Sequence, residues 1–235
     1  MFYRGGPVGH NTSMRRAELI AQIADHITHL KRPPPVKIAI DGIDASGKTT
    51  LADELAAFLE QAGHPVIRAS IDGFHNPREV RHQKGLVSPE GYFYDSFDYS
   101  ALKKRLLDSL SENGDLHYQA AMFDFKTDAD VQASVEIAPD NTILLFDGVF
   151  LQRPELDPYW DFRIFVDVPF EVALARALER DVALFGDKSM VLERYQKRYM
   201  PAQQLYIDLC HPHDHANLVV KNHDPIDAYL IVNRP

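Results

Sequence analysis

Gly42-Ile43-Asp44-Ala45-Ser46-Gly47-Lys48-Thr49 matches the pattern G-x-x-x-x-G-K-[ST] at every fixed position. An apolar stretch, Val36 to Asp41 (VKIAID), runs directly into it, and a helical pattern over 48–62 follows. Strand, glycine loop, helix is the order that a phosphate-binding loop requires. Glycines let backbone N–H groups wrap a polyphosphate with no side chain in the way. The helix that follows points its positive end at the same phosphates. Lys48 would reach the β- and γ-phosphates, and the Thr49 hydroxyl would ligate Mg²⁺. Gly42, Asp44, Ala45, Ser46, Gly47, Lys48, Thr49 and Thr50 are therefore the candidate nucleotide contacts, with ATP and Mg²⁺ as the expected cofactors.

Working outward, strands alternate with helices. Val66 to Ile71 reads as a second strand, and residues 72–97 as a long loop. Residues 99–111 read as a helix, and 114–140 as irregular chain with a short hairpin. Thr142 to Phe146 (TILLF) and Phe162 to Val166 (FRIFV) read as buried strands. Helices follow from Pro169 to about Val182 and over 190–208, and Leu218 to Val220 is read as the last strand. Near-continuous apolar strands separated by helices imply a parallel sheet covered on both faces. With the phosphate loop, the expectation is an α/β P-loop NTPase fold with a helical lid at about 181–192. Upstream, residues 1–13 read as a mobile leader and Ser13 as the cap of a helix over 14–30. Arg32 then leads into Pro33, Pro34 and Pro35, which end that helix. The expected division is thus a leader and helix over 1–35 and one domain over 36–235.

Composition narrows the partners. The 235 residues carry a formal charge of −9, with 45% hydrophobic residues. Disordered and fibrous classes are excluded on these values. An acidic chain argues against general nucleic-acid binding, which rests on a basic surface. No apolar run is long enough for a membrane span, and the Gly-rich start lacks a signal peptide's apolar core. A cytoplasmic protein acting on a small molecule is expected, with self-association to a homo-oligomer left open. The single cysteine, Cys210, allows no intramolecular disulfide and reads as a small buried hydrophobe.

Three kinds of P-loop protein compete. A GTPase reads guanine with N-K-x-D, but here Lys221-Asn222-His223-Asp224 has the first two exchanged. An ATPase motor carries a glutamate after its metal-site aspartate, but here Asp147 is followed by Gly148. A small-molecule kinase needs a base for the acceptor hydroxyl and arginines for the migrating charge. Asp72, closing the second strand in Ser70-Ile71-Asp72-Gly73-Phe74-His75, would face the ligand crevice as that base. A turn-closing Asp beside Gly73 is the plainer alternative. Asp147, at the end of TILLF, has the position of a metal-supporting carboxylate. Arg176 and Arg180 share a helix face, as do Arg194 and Arg198, around a flexible Gly186-Asp187-Lys188. Such a lid would close over the phosphates and exclude water; solvated surface charge is the bland alternative.

Taken together, GIDASGKTTLADELA, SIDGFHNPREV, SPEGYFYDSFDYSAL, ILLFDGVFLQRPEL, FRIFVDVPFEVALARALERD and RYMPAQQLYIDLCHP resemble the uridine kinase/phosphoribulokinase family. The likeness covers most of residues 36–220 and is nearest to bacterial uridine kinase-like proteins. It implies a nucleoside-monophosphate-kinase-like fold and ATP-dependent phosphorylation of a primary hydroxyl, of a uridine- or cytidine-like nucleoside first. By the same resemblance Lys48 and Thr49 are phosphate and metal residues and Asp72 is the base. Arg176 and Arg180 are lid residues, and Asp147 supports the metal. Asp72, His75, Arg81, Tyr92, Tyr94, Phe123 and Asp124 fall at acceptor-pocket positions.

The chain also departs from the family. Uridine-cytidine kinases carry a Y-D-F-x-x-H run in the acceptor pocket, where this chain has Phe123-Asp124-Phe125-Lys126-Thr127-Asp128. An aspartate near their ribose appears here as Tyr92. A pocket that lacks those hydrogen-bond partners need not select the same base. DGFHNP and SPEGYFYDSFD also look like pantothenate kinases and bacterial sugar-kinase-like relatives, so pantothenate or a sugar is the alternative acceptor. A non-catalytic nucleotide-binding regulator is the reading from another class. Tyr92, Phe93, Tyr94, Phe123 and Phe125 read either as an aromatic wall for a flat base or as core. Arg78, Arg81 and Lys84 read as contacts to an acidic acceptor or as solvated loop charge. His211, His213 and His215 read as an irregular loop or, less simply, a zinc site.

Overall fold

The computed structural model describes residues 16–233. The leader over 1–13 and the Ser13 cap expected from sequence lie outside the described residues. Six strands form the main sheet: β1 (Val36–Gly42), β2 (Val66–Ser70), β3 (Ile143–Gly148), β4 (Phe162–Asp167), β5 (Leu218–Lys221) and β6 (Tyr229–Val232). Their order across the sheet is β6-β5-β4-β1-β3-β2. All neighbours run parallel except β6, which is antiparallel to β5. The sequence reading stops at 218–220 and has no β6. That strand is a half-exposed edge after an Asp-Pro turn, so its apolar signal is weak.

Six helices matter for the site: α1 (Arg16–Thr28), α2 (Lys48–Gln61), α3 (Pro89–Asp95), α4 (Phe170–Arg180), α5 (Lys188–Arg194) and α6 (Met200–Cys210). The helix expected over 190–208 is α5 and α6, joined by one widened turn, Tyr195–Tyr199. The expected loop over 72–97 is partly ordered. It holds a tight turn at Ile71–Phe74, a single helical turn at Arg78–Arg81, and α3. Ser88 caps α3 by accepting a hydrogen bond from the Gly91 N–H at 3.0 Å. The expected hairpin over 114–140 is two small antiparallel ladders, 117–118 with 136–137 and 123–124 with 129–130.

Side chains alternate across each strand, which builds a core on both faces of the sheet. Ile38 and Ile40 of β1 join Leu145 and Ile164 beneath Leu19, Ile23 and Ile27 of α1 and Leu51, Leu55 and Leu59 of α2. Ala39, Phe146, Phe165 and Val219 face the other way, against Tyr92 and Phe93 of α3 and Ala202 and Tyr206 of α6. Burying each such Val, Leu, Ile or Phe side chain fully contributes about 1.5–3 kcal/mol. From β1 the chain crosses to the edge at β2, returns to β3 beside β1, and then builds β4 and β5 on the far side. That reversal opens a crevice at the C-terminal ends of β1 and β3, where ligands of open α/β sheets bind.

Candidate active site

The crevice is a cavity of about 870 Å³. Register brings its acidic floor together. Asp147 of β3, between Ile40 of β1 and Ser70 of β2, lines it, whereas Asp41 of β1, opposite Gly148, is buried beneath it and outside the lining. The loop from Gly42 to Gly47 then turns into α2. Gly47 has φ +98, and an added Cβ would come within 2.6 Å of Asn222 Nδ2; at Gly42 it would come within 2.5 Å of the Val166 carbonyl oxygen. Only glycine fits such positions. Gly148 is equally confined, since its Cβ would meet Ile71 Cγ2 at 2.4 Å. Ile71 sits in the turn that carries Asp72. Gly148→Ala is expected to cost about 1–3 kcal/mol by overpacking, read as a lowered urea midpoint. An unchanged midpoint would show that the Asp72 turn moves freely.

Lys48 is buried, and its ammonium donates to the Ile43 carbonyl oxygen at 2.6 Å. Burial pulls its pKa down, while Asp44, Asp147, Asp41 and Asp72 hold the charge in place. Thr49 Oγ1 donates to Asp147 Oδ2 at 2.7 Å. The other oxygen, Oδ1, accepts from Arg68 Nη2 at 3.0 Å. A hydroxyl and a carboxylate side by side at the sheet edge are hard oxygen donors of the type Mg²⁺ takes, so these residues fit the expected metal. Asp72 also lines this floor, after β2. Crowding by protein and the Asp147 carboxylate raise its pKa above the ordinary carboxylate value; cavity solvent reaches the side chain and tempers the effect. His75 hydrogen-bonds the Asp72 carbonyl oxygen through Nδ1 at 3.0 Å, and burial lowers its pKa to about 4.

The structure brings together Asp44, Ala45, Lys48, Thr49, Asp72, His75, Arg81, Tyr92, Asp147 and Arg180 around one cavity. It keeps other expected residues out. Tyr94 points to the surface, about half exposed. Phe123 lines a separate hollow with Arg105 and Gln119. Asp124 turns back on its own hairpin, accepting from the Lys126 N–H at 2.9 Å and from Thr127 Oγ1 at 2.9 Å. Tyr94, Phe123 and Asp124 thus lie outside the lining of this cavity, and of the expected aromatic wall Tyr92 and Phe125 line it. Thr50 is exposed on α2, outside the cavity lining.

Arg176 also needs correction. It is not beside Arg180 in a lid. Its guanidinium donates to the Asn222 carbonyl oxygen at 2.7 Å, the His223 carbonyl oxygen at 3.1 Å and the Ser46 carbonyl oxygen at 3.3 Å. It braces the phosphate loop from behind, together with Asn222, whose Nδ2 donates to the Ser46 carbonyl oxygen at 2.7 Å. Arg180 is held by Asp181, through Nε to Oδ1 at 2.6 Å, and Tyr195 donates to Asp181 Oδ2 at 2.8 Å. Arg198, 3% exposed, spends its guanidinium on the carbonyl oxygens of Arg81, Gly85, Leu86 and Ser88.

Two buried networks escaped the sequence reading. Asp41, fully buried, accepts from Gly42 N–H at 2.8 Å, Gln152 Nε2 at 3.1 Å and the Tyr206 hydroxyl. Asp44 Oδ2 accepts from the Tyr92 hydroxyl at 2.9 Å and from Gln203 Nε2 at 2.5 Å. Asp41 thus ties the start of the phosphate loop to α6, and Asp44 ties the loop to both α3 and α6. The His211–His215 stretch serves structure: His213 Nε2 pairs with Asp167 Oδ1 at 2.9 Å, and its ring packs on Phe165. Among the described residues no three His, Cys, Asp or Glu side chains converge on a metal-sized site.

Against known proteins, the model of the Phosphoribulokinase / Uridine kinase family matches residues 37–226. Uridine-cytidine kinase B of Dictyostelium discoideum is 30% identical over 186 residues, covering 78% of this chain and 73% of that protein. Uridine kinase of Ligilactobacillus salivarius (strain UCC118) is 24% identical over 176 residues, covering 74% and 80%. A solved structure described as a possible uridine kinase from Bacillus stearothermophilus superposes with a TM-score of 0.70 at 24% identity, covering 86% of this chain and 97% of its own. D-glycerate 3-kinase from Cryptococcus neoformans superposes at 0.59 with 15% identity, covering 97% and 100%.

Proposed function

The chain belongs to the phosphoribulokinase/uridine kinase family, and from that premise we propose that it phosphorylates a primary hydroxyl of a small-molecule acceptor with ATP. The observation that carries the reading is Asp72 in the same cavity as Lys48, Thr49 and Asp147. Asp72 takes the acceptor's proton as its oxygen attacks. Lys48 neutralises charge on the transferring phosphoryl group, with Arg180 on the lid side of the cavity. Thr49 and Asp147 would hold Mg²⁺, which when bound would supply charge screening to the phosphate oxygens. Arg176, Asn222, Asp41 and Asp44 keep the loop in shape. The segment over 1–35, the kinase domain over 36–235 and the lid at about 181–192 belong to the same proposal.

Relatives named uridine kinase put a nucleoside forward as acceptor, and Tyr92 and Phe125 offer it aromatic faces. A second reading, pantothenate or a sugar derivative, is favoured by Arg78, Arg81 and Lys126 in the cavity lining. Asp128, at the position of the family's histidine, is taken up by Arg81 at 2.8 Å. The test is ADP release with ATP–Mg²⁺ across nucleosides, pantothenate, pentoses and hexoses, beside titration calorimetry with ATP. Acceptor-dependent release with one class is expected. ATP binding with no acceptor-stimulated release would instead favour a nucleotide-binding regulator.

A further inference from the structure

The cavity end away from the phosphate loop is strongly cationic. It is built by the helical turn Arg78–Arg81, the loop to Ser88, the hairpin turn at 125–128 and the lid helix around Arg194 and Arg198. Arg78, Arg81, Lys126, Arg194 and Arg198 all line it. Among the described residues one carboxylate, Asp128, makes an ion pair or side-chain hydrogen bond with them, while Asp72 and Asp124 lie near enough to Lys126, and Glu193 to Arg194, for a weaker charge interaction. Asp128 Oδ1 accepts from Arg81 Nη2 at 2.8 Å and from the Arg78 backbone N–H at 2.9 Å. Arg194 and Arg198 bond only to carbonyl oxygens, which solvate a guanidinium without cancelling its charge. Among the described residues the Arg78 and Lys126 side chains have no ion-pair or hydrogen-bond partner.

Arg78 and Lys126 are exposed at the cavity mouth, but solvated surface charge does not describe Arg81 and Arg198. The Arg81 side chain is only 12% exposed, and its Nε is buried without a partner. Four guanidiniums crowd one imidazole: burial lowers the His82 pKa, and Arg198, Arg81, Arg194 and Arg78 lower it further. Like charges gathered in a cleft are stable when an anion completes them, and guanidinium forks suit carboxylate and phosphate oxygens. Lys126 is close enough to Asp72 to steady its negative charge, so the cationic end and the proposed base belong to one acceptor site.

Resting on the kinase reading above, we propose that the acceptor carries a carboxylate or phosphate group. Arg78, Arg81 and Lys126 hold that group, with the acceptor's hydroxyl turned towards Asp72. An uncharged nucleoside would leave this end without its partner.

Paired acceptors test the proposal in steady-state assays with ATP–Mg²⁺: pantothenate against panthenol, glycerate against glycerol, ribose 5-phosphate against ribose, and uridine as the neutral nucleoside. One anionic compound is expected to exceed its neutral partner by about 10²-fold in kcat/KM. Whether it is a carboxylate or a phosphate identifies the source of the charge. Arg78→Met and Lys126→Met, chosen because neither side chain supports an ion pair, are each expected to raise that compound's KM about tenfold, more than they lower kcat. Independently, inorganic phosphate is titrated into protein saturated with AMP-PNP–Mg²⁺, which fills the triphosphate end. Millimolar binding, weakened about tenfold in the double variant, is expected. Uridine outperforming every anionic compound overturns the proposal, as does phosphate binding that is absent or indifferent to the double variant. Phosphate binding with no turnover of any compound keeps the anion site and removes the kinase reading.

Discussion

Lys48→Ala is expected to abolish acceptor-dependent ADP release, a loss of at least about 10³-fold in kcat. Its ammonium interacts with Asp44, Asp147, Asp41 and Asp72. Removing it withdraws the charge proposed to meet the phosphates and leaves Asp72 repelled by Asp147 and Asp44 by Asp72 without its offset. Lys48→Met keeps the aliphatic stem and separates packing from charge. If the Lys48→Met protein melts at the wild-type temperature yet turns over nothing, charge is the cause. Full activity in either variant would remove the phosphate-loop reading altogether.

Asp72→Asn is expected to lower kcat by roughly 10²–10⁴-fold while ATP affinity is retained. The side chains are nearly isosteric, so the Ile71–Phe74 turn and its bond from Asp72 N–H to Ser70 Oγ at 3.3 Å survive the change. The pH profile gives an independent reading. A base acts deprotonated, so kcat/KM falls as pH drops through its pKa. For Asp72 that acid limb lies above the ordinary carboxylate range, because burial and Asp147 both raise it. His75, with a pKa of about 4, stays neutral across the same window and does not supply the limb. Asp72→Asn should therefore remove the limb as well as the rate. Near-normal turnover by this variant would sink the base assignment.

What the sequence disclosed follows from how local each signal is. The phosphate loop, β1 and β3 are contiguous patterns, and each lies where its pattern implies. Asp72 and Asp147 were legible because a carboxylate at the end of an apolar strand must emerge at the sheet edge. Arg176 was misread because four residues on a helix share a face but not a level. Arg180, one turn further along α4, reaches the cavity, whereas Arg176 meets the back of the phosphate loop. Tyr94 follows two buried aromatics, yet successive residues on α3 turn by about 100°, which carries it outside. Asp124 carried no sign that its own turn would capture it. Arg68 and Tyr206 could not be found by any local rule, since their partners Asp147 and Asp41 lie 79 and 165 residues away.

The Arg198 clamp has an evolutionary side. Every group it holds in the 81–88 segment is a carbonyl oxygen of the main chain, which all twenty amino acids carry. The clamp is therefore blind to the side chains of that segment. Exchanges there can change the side chains that line the cavity while the Tyr195–Tyr199 turn stays fastened to the same backbone.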